Sequence, residues 1–183
     1  MGASIDGLGP ELQEFARDLD DAVFKSGLQG RFTSTLRSRS EQERLYRAFL
    51  SGRNPFPVAP PGFSAHEYGT AFDYVVTPQE NQADVGAYWR SLGGVWAGDR
   101  DFVHFELPGA SAAAKAAGRL ELEQSQDNGE KPPWYLDAVK DVLSIGPWWS
   151  SFLGVDLSGA NILNKGSRAL HHPMCAIFGG NWC

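Results

Sequence analysis

The chain has only two cysteines in 183 residues, Cys175 and Cys183, both near its end. Everything before them is free of disulfides, and two cysteines cannot give zinc-finger spacing. A single Cys175–Cys183 bridge is the one pairing left open. Basic residues are in deficit: 16 Lys and Arg stand against 22 Asp and Glu, a net charge of −6. That balance argues against a nucleic-acid partner, because phosphate binding needs a clustered basic surface. It also gives no long-range pull toward anionic polymers, so recognition must rest on local groups in a cleft. Long apolar runs are missing too. None approaches the roughly 20 residues of a membrane-spanning helix. Met1-Gly2-Ala3-Ser4-Ile5-Asp6 lacks the basic start and apolar stretch of a signal peptide, so none is expected. What remains, 42% hydrophobic and 21% charged, suits one globular domain with an appendage.

Periodicity sets out the elements. Pro10 to Lys25 is expected to be an amphipathic helix, with Leu12, Phe15, Ala16, Leu19, Ala22 and Val23 at helical spacing. A short strand follows near Arg31 to Leu36. Ser40-Glu41-Gln42-Glu43 reads as a capping box opening a helix to about Leu50, with Leu45, Tyr46, Phe49 and Leu50 inward. Asn54 to Phe63 carries prolines at 55, 57, 60 and 61, a stiffened connector. A helix over Asn81 to Leu92 would turn Val85, Tyr88, Trp89 and Leu92 inward, and the alanine-rich Ala110 to Gln124 is helical by propensity. The polar stretch before Pro132-Pro133 reads as a linker. The boundaries expected are a catalytic-sized domain over 1–126, a linker over 127–133, and a Trp- and Gly-rich C-terminal segment over 134–183, opening with a helix over Trp134 to Leu143. A segment of about fifty such residues seldom builds its own core, so docking on a protein partner or an assembly role is expected for it.

Chemistry concentrates in two short stretches, Ser64-Ala65-His66-Glu67-Tyr68-Gly69-Thr70-Ala71-Phe72-Asp73 and Asp101-Phe102-Val103-His104-Phe105-Glu106. Two of the four histidines fall in them. Two imidazoles and a carboxylate can hold a zinc ion and leave a fourth position open. On one continuous helix His66 and Asp73 would lie two turns apart, too far for one ion. Gly69 and the strand-favouring Thr70, Phe72, Tyr74, Val75 and Val76 instead give a loop with His66, a turn, and a strand with Asp73. His104 would come from a second strand, Val103 to Leu107, beside the first, since cross-strand neighbours lie about 5 Å apart. Asp101 stands three residues before His104 and also fits a turn residue within Gly98-Asp99-Arg100-Asp101. Asp99, five residues before His104, is the second candidate for an acid there.

The first stretch matches S-x-H-x-x-G-x-A-x-D at Ser64, His66, Gly69, Ala71 and Asp73, and the second has the form acid-x-x-His. This pattern resembles the zinc peptidases of bacterial cell walls: D-alanyl-D-alanine carboxypeptidases and dipeptidases, and phage-type L-alanyl-D-glutamate endopeptidases. The resemblance covers roughly Leu12 to Leu107. It implies His66, Asp73 and His104 as Zn2+ ligands and Asp101 as general base. It implies that Arg37, in Thr35-Leu36-Arg37-Ser38 and five residues before Gln42, stabilises the tetrahedral intermediate, a task suited to a guanidinium fork. Arg39 reads as a solvated surface charge. Ser64 is expected to orient a ligand or the substrate backbone, and Glu106 to back a zinc-bound histidine or lie as an exposed strand carboxylate.

The fold so implied is α+β, a small antiparallel sheet with helices packed on one side and the zinc site at the sheet edge. The implied function is hydrolysis of the peptidoglycan stem peptide. An Asp in the last motif, with Phe105-Glu106 after the histidine, looks more like the phage endopeptidase branch than the carboxypeptidase branch, which usually has Glu there. In a phage setting such an enzyme reaches the wall through a lysis pore or within the particle, and the C-terminal segment suits a virion component as partner. The alternatives are a D-alanyl-D-alanine carboxypeptidase and a structural phage-particle protein that keeps the fold.

Overall fold

A computed structural model describes residues 2–130, apart from the side chain of Asp99, together with Trp134 and Tyr135. The expected helix over Trp134 to Leu143 beyond Tyr135, the Cys175–Cys183 pairing and the docking role of the C-terminal segment lie outside the described residues.

Among the described residues, four α-helices pack with a four-stranded antiparallel sheet of order β1-β2-β4-β3, with β1 over Gln29–Ser34, β2 over Ala71–Thr77, β3 over Val95–Trp96 and β4 over His104–Glu106. Helix α1, Pro10–Lys25, buries Leu12, Ala16, Leu19 and Val23, the stripe its periodicity sets out. Helix α3, Gln82–Ser91, adds Val85 and Trp89. These meet Phe72, Tyr74 and Val76 of β2, Trp96 of β3 and Phe105 of β4 in one core. Phe72 stacks on Phe105 at 5.5 Å and meets Trp89 edge-on at 5.2 Å. Strand side chains alternate between faces. With Phe72, Tyr74 and Phe105 turned to α1 and α3, Asp73, His104 and Glu106 must face the other way.

Helix α2, Arg39–Leu50, is capped by Ser38, whose hydroxyl accepts from the Glu41 N–H at 3.2 Å. The N-cap is therefore Ser38, two residues earlier than Ser40-Glu41-Gln42-Glu43 suggests. Its buried stripe is narrower than expected: Tyr46 is buried, Leu45 and Phe49 pack at its side, and Leu50 is exposed. Tyr88 of α3 is likewise exposed, because Trp89 and Val85 already fill the space under the helix. Helix α4, Ala110–Asp127, lies against the other side of the sheet's end, where Ala110 and Ala114 pack on Ala65 and Ala71. Among the described residues no helix is long and apolar enough to cross a membrane.

Candidate metal centre

Three segments build the site. Ala65–Tyr68 forms a single 3-10 turn that carries His66 and ends at Gly69, with φ +65°. A Cβ on Gly69 would also stand 2.8 Å from the Gly7 carbonyl, so both conformation and space require glycine there. After the turn β2 begins, and Asp73 sits directly opposite His104 of β4. The β2–β4 ladder ends at that pair, so the site occupies the end of the ladder on the face away from α1 and α3. Ala71 is fully buried against α4, a position where a larger side chain would push that helix off.

The three donor atoms form a near-equilateral triangle. His66 Nε2 is 3.2 Å from Asp73 Oδ1 and 3.3 Å from His104 Nδ1, and His104 Nδ1 is 3.4 Å from Asp73 Oδ1. Ligands about 2.05 Å from a tetrahedral ion stand about 3.3 Å from each other. The triangle is one face of such a tetrahedron.

Tautomers sharpen the fit. His66 Nδ1 lies 2.8 Å from the Thr35 carbonyl, which can only accept, so Nδ1 carries the proton and Nε2 presents a lone pair. His104 Nε2 lies 3.2 Å from the Glu106 carboxylate, so its Nδ1 presents the second lone pair. Asp73 supplies the third. Three acceptors converge with no donor among them, an arrangement that calls for a cation or an added proton. The protein groups alone show that pressure. Burial would push the His104 imidazole down, yet hydrogen bonds and charge from Asp73 and Glu106 raise it to about 9. Burial would push Asp73 up, yet His104, His66 and Arg37 hold it well below the usual carboxylate range. The donor set, its spacing and its lone pairs fit zinc.

Around the triangle, Arg37 is brought in by its backbone N–H, which donates to the His66 carbonyl. Its guanidinium donates to Asp73 Oδ2 at 2.7 Å, to Ser34 Oγ at 2.8 Å and to Gln42 Oε1 at 3.3 Å. It thus holds the outer oxygen of Asp73 and leaves Oδ1 to face the histidines. A bulge at Thr33 shifts the β1–β2 register so that Ser34 stands opposite Asp73. Glu106 is buried, and besides His104 it accepts from Ser111 Oγ at 2.5 Å. Despite burial its carboxyl is held down by these two donors. Ser64 is buried at the head of the turn, its carbonyl accepting from the Glu67 N–H. The Asp101 backbone caps a turn: its carbonyl accepts from the His104 N–H at 3.1 Å. Its carboxyl is pushed up by burial and by Asp73, and drawn down by His104 and His66, so it lies within electrostatic reach of the triangle.

Ser111, Ser34 and Gln82 escape a sequence reading. Ser111 is one serine in an alanine-rich helix start. Gln82, buried, accepts from Val76 N–H and donates to the Tyr74 and Phe102 carbonyls, tying β2 to the Asp101 turn. Nothing in its spacing marks it out. Trp96 is a core residue whose indole N–H donates to the Phe102 carbonyl at 2.8 Å.

Residues 6–92 match the family model described as VanY: D-alanyl-D-alanine carboxypeptidase. That stretch holds Arg37, Ser64, His66 and Asp73 and stops before Asp101, His104 and Glu106. Comparison with curated proteins finds no match. Among solved structures the chain is similar to an L,D-carboxypeptidase, DacB, from Streptococcus pneumonia, at 20% identity over 63% of this chain and 77% of that one, with a TM-score of 0.46. It is similar to the LdcB LD-carboxypeptidase at 21% identity over 63% and 76%, with a TM-score of 0.47. A third is VanYB in complex with D-alanine-D-alanine, at 18% identity over 66% and 82%, with a TM-score of 0.45. Over residues 6–92, just under half of its length, this chain is thus similar to the VanY family model.

Proposed function

We propose that the protein is a zinc-dependent peptidase that hydrolyses the stem peptide of peptidoglycan. The observation that carries this reading is the lone-pair triangle of His66 Nε2, Asp73 Oδ1 and His104 Nδ1, at 3.2 to 3.4 Å on every edge. When bound there, zinc supplies Lewis-acid polarisation of a carbonyl and acidification of a water molecule. The chain's own groups do the rest. Thr35 and Glu106 fix the two imidazoles in the tautomers that bind. The Asp101 carboxylate takes a proton from the nucleophile and returns it to the leaving amine. Arg37 orients Asp73 and places a cationic edge where negative charge develops on the scissile carbonyl. Ser64 shapes the floor beside His66.

Within that chemistry we favour cleavage inside the stem, at the L-alanyl-D-glutamate bond, as a phage-type lysin. Support comes from Asp101 in place of Glu, from Glu106 after Phe105, and from Arg37. Three of its donors go to Asp73, Ser34 and Gln42, which suits it poorly to clamping a free C-terminal carboxylate. The second reading, a D-alanyl-D-alanine carboxypeptidase, is favoured by the family model over residues 6–92. Digestion of one defined muropeptide with a stem ending in D-alanyl-D-alanine separates them by product mass. Separation of the first alanine from the rest of the stem supports the endopeptidase; release of a single terminal alanine supports the carboxypeptidase. An intact muropeptide with zinc-loaded protein would overturn both.

A further inference from the structure

Glu67 is a buried charged residue outside the metal triangle, its side chain 5% exposed. It follows His66 directly, and its carboxylate is held by Gly62 and Arg39 rather than by the donor atoms. Its Oε2 accepts from the Gly62 N–H at 2.8 Å, and its Oε1 lies 3.0 Å from Arg39 Nε. Arg39, the first residue of α2, also forks onto Glu121 of α4, Nη1 to Oε1 at 3.2 Å and Nη2 to Oε2 at 2.8 Å. Its Nη1 reaches Tyr135 Oη at 3.5 Å. The arginine that reads in the sequence as a surface charge is thus a junction between two helices, the His66 turn and the start of the C-terminal segment.

The turn needs such a junction. It is four residues long and lies between a proline-rich connector and a left-handed glycine. The Thr35 carbonyl fixes how the His66 ring is rotated, Ala65 packs the turn on Ala71 of β2, and the Arg37 N–H holds the His66 carbonyl; Glu67 adds the tie to α2. A buried carboxylate is costly unless it is paired; Glu67 has one hydrogen bond, from Gly62 to Oε2, while its Oε1 accepts none and relies on the charge of Arg39. Glu67 therefore stays where Arg39 and Gly62 hold it, and the adjoining His66 backbone stays with it.

We propose that Arg39 and Glu67 are a positioning pair that sets the depth of the His66 turn and so tunes metal affinity. Neither residue touches the donor atoms. The proposal rests on the reading that His66, Asp73 and His104 hold zinc.

The test is zinc affinity of the full chain, measured by chelator competition, for the wild type, Glu67→Gln, Arg39→Ala and Glu121→Ala. Glu67→Gln and Arg39→Ala are expected to bind zinc about tenfold more weakly, the lower end of what outer partners of a metal site contribute. Their far-ultraviolet circular dichroism should be unchanged. Glu121→Ala, which cuts only the α4 arm, should stay within about twofold of the wild type. If Glu67→Gln does not fold, Arg39→Lys, which keeps the charge but not the fork, carries the same expected direction. Folded Glu67→Gln and Arg39→Ala proteins that match the wild type would overturn the proposal. So would Glu121→Ala falling as far as Glu67→Gln, since general loosening of α4 would then be the cause. A wild-type chain that binds no zinc would instead remove the metal reading, and this proposal with it.

Discussion

Asp73 and His104 face each other across the last rung of the β2–β4 ladder, with Asp73 Oδ1 3.4 Å from His104 Nδ1. Two donors from one rung share the rigidity of the sheet, while His66 arrives on a separate turn. Loss of any donor should be severe. His66→Ala, Asp73→Ala and His104→Ala are each expected to lower zinc affinity by more than the ~10–100-fold that loss of an outer partner costs. Metal content after dialysis checks this. Stoichiometric zinc in all three variants would mean that the ion sits elsewhere.

Glu106 and Ser111 touch no ion, yet Glu106 fixes the tautomer of His104 and Ser111 fixes Glu106. Glu106→Ala should weaken zinc binding by ~10–100-fold. Ser111→Ala should weaken it less, because Glu106 keeps its contact with His104. Equal effects from the two variants in a chelator titration would show that the hydroxyl and the carboxylate act as one unit.

The metal triangle also sets a pH dependence for protein stripped of zinc. The His104 imidazole is raised from 6.5 to about 9, so its stabilising contribution is complete below pH 6.5 and fades as pH rises through about 9. Asp73 is lowered from 3.8, so its contribution is present above that value and lost on acidification. Thermal melts in chelator should therefore show a plateau between about pH 4 and 6.5 and a decline toward pH 9. With zinc, the ion replaces the proton among the donors, so the alkaline decline should disappear and affinity should rise with pH. An alkaline decline of the same size with zinc bound would show that His104 is not a ligand.

The site residues that a sequence reveals are those fixed by donor chemistry or by tight geometry. His66, Asp73 and His104 are legible because few residue types bind zinc. Gly69 is legible as the turn that breaks the helix, and Ala71 only through the motif; the structure gives their reasons, a left-handed φ and room for α4. Helix α1 is legible end to end, because Pro10 opens it and its apolar stripe is continuous. What stays hidden depends on partners distant in the chain. Arg39 looks like a surface charge because Glu67 and Glu121 lie 28 and 82 residues away. Ser38 loses the cap to Ser40 on paper because both serines precede acids at plausible offsets. The bulge at Thr33 leaves no compositional trace, since any residue can be the extra one.

Gly69 allows a test of the turn that is independent of chemistry. A left-handed residue with a Cβ costs roughly 1–2 kcal/mol, and here the added methyl would also press on the Gly7 carbonyl at 2.8 Å. Gly69→Ala should lower stability by at least that amount in denaturant melts and should displace His66, weakening zinc binding as well. A variant with wild-type stability would mean that the turn can be rebuilt without positive φ.

Asp101 separates binding from turnover. Its backbone stays in the turn through contacts that do not use the carboxylate: its N–H donates to Gly98 and its carbonyl accepts from His104. Truncating the side chain should therefore leave the triangle standing. Asp101→Ala is expected to retain stoichiometric zinc while kcat on a defined muropeptide falls by about 10²–10⁴, the usual worth of a positioned acid or base. Asp101→Asn, which keeps the shape but cannot accept the proton, should fall as far. Full turnover in either variant would exclude Asp101 as the proton carrier. Loss of zinc from both would make it a structural neighbour of the site instead.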